Sequence, residues 1–163
     1  MITLGINAAF HDCSACLVED GVVLAAAEEE RFTRVKHGKR PVPFTVWQLP
    51  FEAIGSCLAV AGITLRDLDH VAYAYDPWLS LGARDNALGI HLPLEPSAAG
   101  GGAAWEALGL AYAVNAPRQL AGGVPHHLRH VFAGAAQPAP YRWHFVEHHR
   151  AHEASAFLAS PYA

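Results

Sequence analysis

Two histidines near the end of the chain have a spacing that could do chemistry. His148 and His152 lie in His148-His149-Arg150-Ala151-His152-Glu153-Ala154-Ser155-Ala156, where the small residues and the following Phe157 and Leu158 predict a helix. On a helix, residues four apart share one face, with Cβ atoms about 5–6 Å from each other. Neutral imidazole is a ligand for zinc or iron, so a single helix turn would offer two metal ligands. A short motif is only a hypothesis, because isolated histidines more often serve packing or the surface. The metalloprotease pattern H-E-x-x-H is not met, since position 149 is His.

Two further stretches carry candidate chemistry. Lys36, His37 and Lys39 set cationic donors beside Gly38, a composition suited to a phosphate or another anion. They belong to the mixed-charge run Glu28 to Arg40, which without such a ligand reads as a solvated loop. The segment Asn7-Ala8-Ala9-Phe10-His11-Asp12-Cys13-Ser14 is rich in small and polar residues, so its backbone could approach a ligand closely; the plain alternative is an ordinary polar loop. His11 sits in it, directly after the first strand pattern.

Two other patterns carry less. His126, His127 and His130 repeat the H-H-x-x-H spacing, and spacing cannot choose between the two clusters. Arg129 and the apolar Val131 and Phe132 favour a surface or packing role for the earlier one. Cys13-Ser14-Ala15-Cys16 is a lone C-x-x-C at the entry to a strand, which would put positions 13 and 16 on opposite faces; both are expected to be small core residues.

The elements that must position these residues can be read in order. Ile2 to Ile6, Ser14 to Val18 and Val22 to Ala27 are strand patterns, the last two joined across Asp20-Gly21. Phe51 to Ala61 has helical periodicity, with Pro50 in its first turn and Gly62 just beyond its end. His70 to Tyr75 is a strand closed by Asp76-Pro77. Residues 77–102, with Pro77, Pro93, Pro96 and Gly100-Gly101-Gly102, form an irregular insertion. Ala103 to Leu120 is a helix broken or ended at Pro117, Val124 to Phe132 a second, and Tyr141 to Val146 a strand that delivers the chain to His148. A hairpin followed by a helix and a further strand predicts an α/β fold with a mixed β-sheet and helices flanking it.

Composition narrows the function classes. The 163 residues are 52% apolar, enough for a core in one domain. Eleven basic against fifteen acidic residues give a net charge of −4, with Lys36 and Lys39 the only lysines, so no basic stripe exists for nucleic acid. No apolar run reaches the roughly 18–20 residues that span a bilayer, and no signal-peptide charge cluster opens the chain. Three cysteines fit free thiols in a reducing compartment, and a cytoplasmic protein is expected.

Three collinear runs, L-G-I-N-A-A-F-H-D-C-S-A-C-L-V-E-D-G, A-A-E-E-E-R-F-T-R-V-K-H-G and F-V-E-H-H-R-A-H-E-A-S-A-F-L-A-S-P, resemble the N-terminal part of the O-carbamoyltransferases of the nodulation and antibiotic-biosynthesis type. The resemblance implies a sugar-kinase/actin-like (ribonuclease H-like) fold, related to the tRNA threonylcarbamoyl-transferase subunit, of which residues 1–163 would be the first lobe and a fragment. A second lobe and a C-terminal domain that makes carbamoyl adenylate from carbamoyl phosphate and ATP would be missing. The resemblance puts the metal pair on His148 and His152, with iron or another divalent ion and an acidic third ligand from the absent lobe. It puts the base for the acceptor hydroxyl on His11, acceptor binding on Asp12, and contact with carbamoyl adenylate on Lys36. Glu153 and Arg150 depart from the family's usual Ala and apolar residue, which leaves metal identity open.

The expected function is therefore transfer of a carbamoyl group to a hydroxyl of a small natural product. The competing expectation is a non-catalytic metal-binding or interaction module that retains the fold and pairs with a separate remainder. A tRNA-modifying role is disfavoured by the net charge and by the F-H-D and K-H-G runs. The acceptor's identity is not legible.

Overall fold

The computed structural model describes residues 1–9, 12–38, 49–81, 110, 113–121 and 139–158. The chain opens with β1 (Ile2–Asn7), β2 (Ser14–Glu19) and β3 (Val22–Glu28). Asp20 and Gly21, both at positive φ (48° and 86°), join β2 to β3. Two consecutive left-handed residues give the turn whose twist matches a hairpin, and Asp-Gly is a favoured pair for it. A one-turn helix α1 (Glu30–Thr33) and a 3-10 turn (Lys36–Gly38) follow. Then come α2 (Phe51–Ala61), β4 (His70–Tyr73), α3 (Pro77–Leu81), the helical stretch α4 over 113–121, β5 (Arg142–Phe145) and α5 (His148–Leu158).

The five strands form one mixed sheet in the order β3-β2-β1-β4-β5. β2 is antiparallel to both its neighbours, whereas β1, β4 and β5 run parallel. Parallel neighbours need a crossover, and α2 lies on the one from β1 to β4. Alternation sorts the side chains. Leu4, Ile6, Leu17, Val71 and Tyr73 are buried on one face against Ala53, Ile54 and Cys57 of α2 and Ala113, Ala116 and Leu120 of α4. The opposite face carries Gly5, Cys16, Ala26 and Ala72, all small, beside a cleft of about 680 Å³ that α5 borders through Ala151.

Several sequence expectations need adjustment. The strand expected over 70–75 ends at Tyr73, where Ala74 turns away after its N–H bonds to the Ile6 carbonyl. α4 continues through Pro117 rather than breaking there; proline removes a single backbone bond, and burial of Ala113, Ala116 and Leu120 holds the segment. Cys13 is buried as expected, but Cys16 is half-buried on the small-residue face, where a Cβ on Gly5 would come within 2.8 Å of its sulfur. The triple acid is not simply solvated. Pro50 supplies no side-chain cap to α2, and the Glu29 carboxylate accepts instead from the N–H groups of Glu52 and Ala53 at 3.3 and 2.8 Å. The insertion begins with α3, and its remainder lies outside the described residues, as do the helix expected at Val124 to Phe132 and the His126–His130 cluster.

Candidate functional site at the C-terminal edge of the sheet

Because β1, β4 and β5 are parallel, their C-terminal ends collect on one edge, the edge where open α/β sheets characteristically bind ligands. The hairpin's far end, at Ser14 and Glu28, lies there too, since β2 runs antiparallel to β1 and β3. The candidate residues follow this topology. Asp12 comes after β1, and His148 comes after β5. The Lys36–Gly38 turn is tied to the β1 loop, and the small-residue cleft reaches the same edge at Asn7, Ala74 and Val146.

α5 presents the histidine pair. Glu147 precedes it, and its carboxylate accepts from the backbone N–H groups of His149 and Arg150, each at 2.9 Å. Glu147 therefore caps the helix through its orphan donors. These backbone donors hold its carboxyl below the usual carboxylate range. The Nδ1 of His148 lies 3.2 Å from the Ala74 carbonyl oxygen. A carbonyl can only accept, so the ring proton is assigned to Nδ1 and the lone pair to Nε2. Such a backbone partner is the usual device for orienting a ligand imidazole. The Nε2 of His152 is 3.0 Å from that of His148. This separation suits a hydrogen bond donated by His152. It equally suits two ligands about 2.1 Å from one first-row ion at an angle near 90°. The pair thus fits a divalent metal as two of its ligands, with remaining positions to be filled from elsewhere.

The second half of the site joins the F-H-D and K-H-G runs. Asp12 Oδ1 lies 2.6 Å from His37 Nδ1, and the Asp12 N–H donates to the His37 carbonyl at 3.4 Å. The His37 N–H in turn donates to Glu30 Oε2 at 3.0 Å. Asp12, Glu30 and His37 are the only three described residues whose metal-binding atoms converge within 4.8 Å. The Asp12 and His37 atoms are already joined to each other, which makes the cluster a clamp between loops. Lys36 is exposed beside it. His11, the expected base, lies outside the described residues.

None of the cysteines has thiolate character. Cys13, Cys16 and Cys57 are free thiols, and burial raises all three, Cys13 to about 11. A thiol so far above neutrality is neither a nucleophile nor a ready metal ligand, which agrees with reading the C-x-x-C as structural.

Sequence reasoning missed Glu29, Glu30 and Glu147 as anchors, and did not single out His37 from its basic neighbours. Glu147 had one local signal, its place immediately before a helical pattern. The Ala74 carbonyl had none, because a backbone partner 74 residues from His148 leaves no trace in side-chain types.

Residues 2–79 match the family model described as carbamoyltransferase N-terminus. The match supports a carbamoyltransferase N-terminal domain over those residues, just under half of the chain. It is similar along 98% of its length to an uncharacterized protein, sll1178, of Synechocystis, with 33% identity. It spans 23% of that relative. Over 67 residues, 41% of the chain, it is 45% identical to the nodulation protein NolNO of Sinorhizobium fredii, covering 9% of that protein. Over a stretch of the same length it is 43% identical to an uncharacterized 19.2 kDa protein in the syrM 5′ region of Rhizobium etli, covering 34% of it.

Proposed function

We propose that residues 1–163 are the first lobe of an actin-like carbamoyltransferase domain. In the complete protein it would transfer a carbamoyl group from carbamoyl adenylate to a hydroxyl of a small natural product in the cytoplasm. The strand order β3-β2-β1-β4-β5 with only β2 reversed supports the ribonuclease H-like assignment, since this is the sheet such lobes are built on. The observation that carries the functional reading is the meeting of the sequence's two candidate loops through Asp12 and His37 at 2.6 Å. This contact lies on the sheet edge from which His148 and His152 also extend.

Each residue has a role in this reading. His11 takes the proton from the attacking hydroxyl, a task suited to a group whose ordinary pKa is about 6.5. Asp12 orients the acceptor, and Lys36 meets the phosphate of carbamoyl adenylate, made from carbamoyl phosphate and ATP by the C-terminal domain. His148 and His152 would hold a divalent ion, iron in the family's pattern, with an acidic third ligand from the second lobe. When bound, such an ion supplies an anchor for oxygen ligands and offsets developing negative charge. The hydroxyl oxygen attacks the carbamoyl carbon, its proton passes to His11, and AMP leaves with the bonding pair.

A lobe exchange tests this reading. Replacing the corresponding segment of a complete carbamoyltransferase with residues 1–163 should retain transfer from radiolabelled carbamoyl phosphate and ATP to the acceptor. Normal adenylate formation without any transfer would contradict it, and would favour the non-catalytic module to which a short relative of 19.2 kDa also lends support.

A further inference from the structure

The contact between the two loops is built from backbone that resists it. Asp12 has φ 52° and His37 φ 57°, in the left-handed region that a side chain with a Cβ enters at a cost. These two residues face each other. The His37 ring meets the Asp12 carboxylate, the Asp12 N–H meets the His37 carbonyl, and Glu30 holds the His37 N–H from a third side. The His37 and Asp12 side chains are 48% and 44% exposed, so water screens their attraction and the pair adds little to stability. Unfavourable backbone held by a contact of small stabilising value points to geometry, rather than stability, as what the contact supplies. Asp12 stands two residues before β2 and His37 is adjacent to Lys36, so the contact fixes the entry to β2 against the Lys36–Gly38 turn across 25 residues of sequence.

We propose that His37 is a positioning residue, whose ring, held by Asp12 and whose backbone is held by Glu30, sets the Lys36 ammonium where it meets the phosphate of the carbamoyl donor. This rests on the role given to Lys36 above and extends it to a residue that touches no substrate.

The chain's two lysines make a direct test possible with pyridoxal 5′-phosphate, an aldehyde carrying a phosphate. The imine it forms with a lysine is reduced by borohydride and located by peptide mass spectrometry. In the wild-type chain Lys36 should be labelled about tenfold faster than Lys39, as focusing of an anion by fixed charge would give, and AMP, which carries the phosphate of carbamoyl adenylate, should protect it. His37→Ala and Asp12→Ala should each bring the two lysines to within about twofold, while the thermal midpoint moves by less than about 2 °C, as expected for an exposed pair. His37→Asn, which tolerates left-handed backbone and keeps a donor near the Nδ1 position, should restore the preference. If Lys36 stays preferred and protected in His37→Ala, the positioning role is overturned and the role of Lys36 stands. If Lys36 is neither preferred nor protected in the wild type, both fall.

Discussion

At the scale of single residues, Gly5 shows how closely the sheet's small-residue face is built. A Cβ there would lie 2.8 Å from the Cys16 sulfur, so Gly5→Ala should destabilise the chain by about 1–3 kcal/mol, the usual range for overpacking. The clash has one named partner, so adding Cys16→Ala should return most of that loss. Urea unfolding of the two single variants and the double variant measures this coupling; additive losses would mean that the strain lies in the backbone. Lys36 gives the opposite expectation. It is exposed, so Lys36→Ala should leave the thermal midpoint nearly unchanged while weakening binding of the activated donor in the complete enzyme. A large drop in midpoint with normal turnover would assign Lys36 to the fold.

At the scale of elements, the helices that frame the site are capped by acids the sequence presented as surface charge. Glu29 caps α2 from 23 residues away, and Glu29→Ala should cost about 1–2 kcal/mol, as the loss of a charged cap does. A lower urea midpoint at constant slope is the expected signature. Glu147 caps α5 locally, and its carboxyl is lowered from 4.5 because the backbone N–H groups of His149 and Arg150 favour the anion. A lowered folded-state value gives stability that is present above the unfolded value of 4.5 and lost as pH falls through the folded one. Protection of the His149 and Arg150 amides from hydrogen exchange should therefore decline in acid below that value, and Glu147→Gln should remove this dependence. The α2 boundaries, Phe51 and Ala61, were legible because periodicity and the Gly62 stop signal are local. The hairpin was legible from Asp20-Gly21. The end of β4 at Tyr73 and the passage of α4 through Pro117 were not, since a tertiary hydrogen bond and tertiary burial decide them.

At the scale of the whole molecule, the sheet gathers motifs that the sequence spreads from Asn7 to His152. The F-H-D, K-H-G and H-x-x-x-H runs were visible as strings, and the family resemblance of the first two agrees with the match over residues 2–79, which ends before the third. Their meeting was not visible, because it depends on β1, β4 and β5 being parallel and on a bond between Asp12 and His37. In a complete carbamoyltransferase carrying this lobe, His11→Asn should lower kcat by roughly 10²–10⁴ with adenylate formation intact, as loss of a general base would. Unchanged transfer would remove His11 from the mechanism.

Under the proposed reading, residues 1–163 would supply part of a metal site and not the whole. His148 and His152 would give two ligands, whereas catalytic sites of this kind use at least three from protein. Glu153 follows His152 by one position and so points about 100° away around the helix, off the face that carries the pair. Calorimetric titration of the purified chain with Fe²⁺ or Zn²⁺ tests this most directly. The prediction is weak binding, with a Kd above about 1 μM, abolished by His148→Ala or His152→Ala. One-to-one binding well below that value, lost with either histidine, would show a lobe that completes its own site and would contradict the account.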